Sequence, residues 1–353
     1  MIRGENMMKK NRFFLGLILL LAVVILSSCQ RNDRVVLNVY NWGDYLDESV
    51  IRDFEKKYNI KVNYDTFSTN EDMYVKLKAG GTDYDVVFPS DYIIERMINE
   101  DMLHKLDFDN IPNYKYIEDH FKNLEYDPQN EYSVPYFWGT VGIIYNKTIV
   151  DEPVNSWQIL WDPKYEKEIL MMDSQRDSIG VALKMLGYDL NTRDLDELEE
   201  AKQALIEQKP LVLAYVGDDV KDKMIAGEAA LAVIYSGEAF YMKQENPDLE
   251  YVIPQEGSNF WVDAMVIPKT SKHKKEAELF INFMCDPEVA YKNAIYVGYS
   301  SPHSEVKKML DPDFLNDPAA YPDMEELVNL EFFKDLGDYL SVYDRIWTEV
   351  KAY

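Results

Sequence analysis

Basic residues are scarce in this chain of 353: 37 Lys and Arg stand against 63 Asp and Glu, a formal charge of −26. Phosphate recognition needs a basic face, so the balance excludes nucleic acid as a partner, and it disfavours adsorption to an anionic membrane surface. Cysteine is scarcer still. Cys29 and Cys285 are the whole supply, too few for a disulfide-built scaffold. The histidines, His104, His120, His273 and His303, are scattered without ligand spacing, so a surface position is expected for each and no metal site. Gly and Pro number 15 each beside 47% apolar residues, which removes the collagen-like and disordered classes. There is no Gly-rich phosphate loop, nucleophile elbow or HExxH, so the usual local signatures of phosphoryl transfer, ester hydrolysis and zinc proteolysis are missing. No cofactor is expected. Paired-carboxylate catalysis leaves no such signature, and an acid/base pair of Asp263 and Glu238 stays open on the residues alone.

Long apolar runs are also absent. Lys9, Lys10 and Arg12 precede apolar Phe13 to Leu26, which suits the core of an export signal and falls short of the ~20 residues of a membrane span. A start at Met1, Met7 or Met8 fits equally. Leu26-Ser27-Ser28-Cys29 resembles the lipobox of bacterial lipoproteins. That implies removal of residues 1–28, a lipid on Cys29, attachment to the membrane through that lipid, and residues 29–34 as a tether. An ordinary signal peptide with an incidental Cys, or an uncleaved anchor, is the alternative. Cleavage strips Arg3, Lys9, Lys10 and Arg12 against Glu5 alone, leaving a still more acidic chain. With Cys29 acylated, Cys285 has no disulfide partner and reads as a small packed hydrophobe.

The remaining length suits about two domains of ~100–200 residues each. Strand and helix patterns alternate along it. Val35 to Tyr40, Lys61 to Phe67 and Tyr84 to Phe88 predict strands, separated by a helix over Asp47 to Tyr58 and another capped by Asn70 and ended by Gly80-Gly81. A helix bearing Ile93, Ile94, Met97 and Ile98 follows. The rhythm returns with strands at Ile169 to Met172, Leu211 to Val216, Leu231 to Tyr235 and Phe260 to Pro268. Asp194 and Glu197 have the spacing of a capping box. Such alternation argues for mostly parallel sheets, and two sets without a linker argue for two lobes between which the chain crosses more than once.

What the sequence has in quantity is aromatic rings: 26 Tyr, 15 Phe and 6 Trp. Several sit beside acids at strand ends: Trp42-Gly43-Asp44-Tyr45, Ser90-Asp91-Tyr92, Tyr235-Ser236-Gly237-Glu238 and Trp261-Val262-Asp263. Ligands of open α/β sheets bind outside the carboxyl ends of strands. A carboxylate gives a cation a charge-assisted hydrogen bond, and an aromatic face adds about 0.5–2 kcal/mol of cation–π attraction. The combination suits an organic cation.

In order and spacing, Tyr40-Asn41-Trp42 with Tyr45, Ser68-Thr69-Asn70-Glu71, Pro89-Ser90 with Tyr92, Ser133 to Gly139, Leu186-Gly187-Tyr188, Ser236 to Ala239, Phe260 to Asp263, Gly298 to Pro302 and Tyr321-Pro322-Asp323 resemble the polyamine-binding proteins of spermidine/putrescine ABC importers, over residues 35–353. The resemblance implies an α/β, two-lobed periplasmic-binding-protein fold of type II-like form. Each lobe is then a mostly parallel sheet flanked by helices, with residues 35–140 plus 262–307 as lobe 1 and 141–261 plus 308–353 as lobe 2. It implies a non-catalytic monomer, exported to the periplasm or the outer face of the cytoplasmic membrane, that hands spermidine or putrescine to permease subunits. Another cationic solute on the same fold is the alternative. Carried over by position, Trp42, Tyr45, Tyr92, Trp261 and Tyr299 wall the ligand, Asp263 grips an ammonium, Asp177 is a second acid, Ser90 hydrogen-bonds, and Tyr235 is a ligand-binding residue where relatives commonly have Trp. Asp44 and Glu238 match acids of some members, and Asp173 stands in for an acid missing at Ser174. Gly43, Tyr235, Ser174 and Phe333 depart from the common pattern and leave ligand length open.

Overall fold

The computed structural model describes residues 34–217, 219–322 and 329–353; the predicted leader, Cys29 and Asp323 lie outside them. The first sheet grows from β-branched runs. β1 (Val36–Trp42) pairs in parallel with β2 (Lys61–Phe67), Val36 opposite Lys61, and with β3 (Val86–Val87), Val39 opposite Val86. The crossover helix Glu48–Tyr58 buries Val50 and Phe54, starts on the Asp47 side chain, which accepts from Ser49 N at 2.8 Å, and stops at Asn59 in the left-handed region (φ 56). The next helix, Asn70–Ala79, is capped by Thr69, whose hydroxyl accepts from Asp72 N at 3.1 Å. The expected cap, Asn70, is instead the first helical residue, and its side chain is free for another task.

The long strand β4 (Ser133–Asn146) joins the two halves. Two strands of the second sheet, β5 (Ile169–Met172) and β6 (Val212–Val216), lie parallel to each other. β5 also runs parallel to β7 (Leu231–Tyr235), while β7 and β8 (Leu249–Val252) both pair antiparallel with the end of β4. The beginning of β4 pairs antiparallel with β9 (Phe260–Val266). The strand order is β2-β1-β3-β9-β4-β7-β5-β6, with β8 on β4. The parallel sets are those the sequence alternation predicts; the antiparallel ones follow because β4 carries the chain out of one sheet and β9 brings it back. A third segment lies at this crossing, where Phe260 N donates to Glu331 O at 2.9 Å and Glu331 N to Ser258 O at 3.0 Å.

One hydrophobic core surrounds β1, β2, β3 and β9 with Phe54, Phe88, Phe137 and Phe280; others flank the second sheet around Trp157 and Ile169 and around Ile144 and Met224. Cys285 is buried in the first, where burial pushes its thiol up to about 12. His303 corrects the surface expectation. It is buried, with Nε2 3.1 Å from Cys285 O and Nδ1 accepting from Val306 N at 3.3 Å, so it caps a helix. The capping box is also corrected. Asp194 does cap its helix, but through Asp196 N at 2.8 Å, while Glu197 takes the Thr192 hydroxyl.

The entry to β4 is fixed by one acid. Buried Asp127 accepts from the amides of Glu131, Tyr132 and Ser133 at 2.9–3.0 Å and from the Ser133 hydroxyl at 2.8 Å. Asp127→Ala leaves these donors unpaired. Urea denaturation is expected to show a loss of about 2–4 kcal/mol, with Asp127→Asn losing less.

Candidate ligand-binding site

Helices begin where β3, β5 and β7 end, and the residues at those joints converge. Ser90 ends the β3 segment and precedes the helix Asp91–Asn99; Ser174 follows β5 and precedes Gln175–Leu186; Tyr235 ends β7 and precedes Ser236–Glu245. Helix N-termini carry a partial positive charge, which favours anions. Each of these helices has an acid in its first turn, Asp91, Asp177 and Glu238 respectively, which turns the local field toward cations.

Asp263, on β9, is 5% exposed. Ser90 Oγ donates to its Oδ1 at 2.6 Å and Tyr45 Oη to its Oδ2 at 2.7 Å. Burial raises its pKa to about 6, against the pull of those two hydroxyls. Asp177 repeats the arrangement. Ser174 Oγ donates to Oδ2 at 2.5 Å and Tyr235 Oη at 3.0 Å. Burial again raises its pKa, opposed by both hydroxyls and by Arg176. Its Oδ1 is buried without a protein donor. Asp177 and Asn259, whose Oδ1 is likewise unpartnered, line one small cavity with Phe333 and Gly180.

Aromatic rings run from one acid to the other. Tyr45 meets Tyr299 with centroids 5.8 Å apart, Tyr299 meets Trp261 at 5.2 Å, and Trp261 meets Tyr235 at 6.0 Å, all near perpendicular. The two tyrosines at the ends are those bonded to Asp263 and Asp177. Two glycines make room for the middle of the row. A Cβ on Gly139 would come within 2.5 Å of Trp261 Cζ2, and one on Gly237 would collide with the Tyr299 ring. Burial raises the pKa of Tyr45 and Tyr235 well above the usual phenol value, and the neighbouring carboxylates add to it. Both are hydrogen-bond donors at any ordinary pH.

Of the twelve binding residues expected from sequence, the structure thus brings Tyr45, Ser90, Asp177, Tyr235, Trp261, Asp263 and Tyr299 together. Tyr92 adjoins them through Asn70, which bonds both Ser90 and Tyr92. Trp42 packs on Phe67 at 4.5 Å, its indole N–H buried without an acceptor. Asp44 is exposed in the turn after β1 at φ 51. Glu238 lies 3.6 Å from Lys221 and near enough to Tyr235 to disfavour its ionisation. Asp173 is exposed and paired with Lys351 at 2.6 Å. Ser174 caps a helix and holds Asp177.

Three residues behind these have tasks the sequence did not reveal. Asn70 read as a helix cap and as part of a matching segment, not as a partner of Ser90 and Tyr92. Asp91 accepts from Val262 N at 3.0 Å and Tyr92 N at 2.7 Å, taking the ladder position where β3 gives way to a helix and so fixing Val262, between Trp261 and Asp263. Arg176 is buried over Phe333, 4.3 Å from its ring, and donates to Asn191 Oδ1 at 2.8 Å. Asp91 was visible as the acid of Ser90-Asp91-Tyr92, but not its backbone partners, and Arg176 carried no pattern distinguishing it from surface charge. Among the described residues no His, Cys, Asp and Glu cluster suits a metal, and no helix is long and apolar enough to cross a membrane.

Gly139→Ala is expected to unseat Trp261. Overpacking of this kind costs about 1–3 kcal/mol, read by urea denaturation, with a change in the near-ultraviolet circular dichroism of the folded protein.

Comparisons with known proteins agree with this architecture. Residues 49–322 match the family of bacterial extracellular solute-binding proteins. The spermidine/putrescine-binding periplasmic protein of Salmonella typhimurium is 36% identical over 330 residues, 93% of this chain and 94% of that protein. A putative spermidine/putrescine ABC transporter protein from Listeria monocytogenes superimposes with a TM-score of 0.86 at 47% identity, covering 90% of this chain and 99% of that one. For the spermidine/putrescine ABC transporter substrate-binding protein of Streptococcus pneumoniae the TM-score is 0.81 at 43% identity, with coverages of 90% and 99%. A family match spanning most of the chain, and relatives alike along nearly their whole length, place it: the chain belongs to the bacterial extracellular solute-binding proteins.

Proposed function

We propose that this protein captures a polyamine, spermidine or putrescine, outside the cytoplasm and delivers it to the permease of an ABC importer. The observation that carries the reading is the pair of buried acids, Asp263 and Asp177, each held by a serine and a tyrosine hydroxyl and joined by a row of rings. A polyamine is an alkyl chain with ammonium groups at its ends. Each ammonium needs an anion and acceptors once stripped of water, and the methylenes need an apolar, electron-rich wall. Trp261, Tyr299, Tyr45 and Tyr235 are that wall, with Tyr92 and Trp42 at its margins. The names of the relatives support the ligand class, and no bond is made or broken in such a role.

Residues 35–140 plus 262–307 and 141–261 plus 308–353 form the two lobes of this reading, hinged where β4, β9 and the Glu331 segment cross. Closing them buries the ligand's ends with the acids. The protein acts as a monomer, tethered through a lipid on Cys29. Cys29→Ser is expected to release it from membranes into the soluble fraction, and a protein still sedimenting with membranes contradicts the anchor.

Calorimetry tests the binding. Putrescine or spermidine is expected to bind at micromolar concentration or below, and Asp263→Asn to lose about 100-fold or more, because the ammonium is then buried without its counter-charge. No heat with putrescine, spermidine or spermine, from folded ligand-free protein, contradicts the proposal. The pH dependence has a definite sign. The ammonium needs Asp263 ionised, and burial lifts its pKa to about 6. Affinity should fall about tenfold from pH 7 to pH 5, and binding at pH 6 should release about half a proton from this acid.

A further inference from the structure

Asn70 makes no contact assigned to ligand, yet every polar atom of its side chain is in use. It is 5% exposed. Its Oδ1 accepts from the backbone N–H of Ser90 at 3.2 Å, and its Nδ2 lies 3.0 Å from Ser90 Oγ and 3.2 Å from Tyr92 Oη. The orientation of the amide is decided by chemistry. A backbone N–H can only donate, so the carbonyl oxygen must face Ser90 N and the NH₂ group must face the two hydroxyls. The amide's two N–H hydrogens are then given to Ser90 Oγ and Tyr92 Oη.

A hydroxyl that accepts from a fixed donor turns its own hydrogen to its other neighbour. For Ser90 that neighbour is Asp263 Oδ1, at 2.6 Å; for Tyr92 it is Glu71 Oε1, at 2.9 Å. We propose that Asn70 is a positioning residue for ligand capture, which sets the direction of the Ser90 and Tyr92 hydroxyls and thereby guarantees Asp263 a hydrogen-bond donor. A free serine hydroxyl has three staggered choices and satisfies a carboxylate only part of the time. One clamped from behind by Asn70 is committed to it. The ligand then meets Asp263 as an anion whose second lone pairs are open, instead of a protonated acid that would itself donate.

This deepens the proposed function and names the device that keeps its central acid charged. Asp263 has other charged and titratable neighbours: Tyr45 from the turn after β1, Tyr299 through the Tyr45 ring, and Asp91 from the base of the helix Asp91–Asn99. Arg176 faces Asp91 and Tyr92 from the second sheet, and Glu71 faces Tyr92. Variants must therefore separate hydroxyl direction from simple charge.

Neutron diffraction of deuterated, ligand-free crystals at pH 8 reads the direction in the unmodified protein. The deuterium of Ser90 is expected on the line to Asp263 and that of Tyr92 on the line to Glu71. A Ser90 deuterium pointing at Asn70, or a deuterium on Asp263 itself, overturns the proposal. The second test is the carboxyl titration of Asp263 by ¹³C NMR, again without ligand, so it stands or falls apart from the polyamine assignment. Asn70→Asp is the polarity-reversing variant, since both its oxygens accept; the midpoint is expected to rise by at least one pH unit. Ser90→Ala, which deletes the donor, should raise it too. In the double variant the increment from Asn70→Asp should shrink by half or more, leaving only repulsion between acids. Equal increments in both backgrounds overturn the proposal. Should Asn70→Asp not fold, the neutron map decides alone.

Discussion

Keeping a negative charge out of water without a neutralising cation is the constraint on which the rest of this molecule depends. Asp263 sits at the crossing of the two halves with two hydroxyls for company. Raising a carboxyl from its ordinary value of 3.8 to about 6 means that holding it ionised at pH 7 costs the empty protein about 3 kcal/mol. The sign is that of a raised acid: the folded state keeps its proton more firmly than the unfolded one, so stability falls as pH climbs from about 4 to 6. In the proposed function a ligand ammonium removes that cost on arrival, and affinity comes in part from relieving it.

The fold supplies this environment against its own tendency. Parallel sheets place helix N-termini at the carboxyl ends of strands, a setting made for anions. Here Asp91, Asp177 and Glu238 occupy the first turns of the three helices concerned. Serines before two of those helices spend their hydroxyls on Asp263 and Asp177. Ser90 accordingly makes no side-chain cap to its helix, a local sacrifice for the site. Small residues complete the arrangement, since the glycines at 139 and 237 let Trp261 and Tyr299 stand edge-on between the acids.

Much of this was legible in the residues, and the failures are instructive. Strands such as Lys61–Phe67 and Ile169–Met172 declare themselves by composition and alternation, because burial on a pleated face demands it. The acids and rings at strand ends were legible because topology puts strand ends together. What stayed hidden was non-local. Asp173 reads like Asp177 in sequence, yet a C-terminal lysine 178 positions away claims it. His303 looked like surface because nothing in its neighbours announces the carbonyl of Cys285. Asn70 looked like a cap, and Thr69, one residue earlier, took that role and left the amide for Ser90 and Tyr92. Such choices depend on partners brought in by the fold, which no window of sequence contains.

Whether a ligand relieves a buried acid held ionised against its surroundings is read by melting the protein with and without saturating spermidine at pH 7.5 and at pH 5, in moderate salt, beside Asp263→Asn. A clearly larger rise in melting temperature is expected at pH 7.5 than at pH 5 for the natural chain, and little rise at either pH for the variant. Equal rises at both pH values, or a rise that Asp263→Asn retains in full, would contradict that relief.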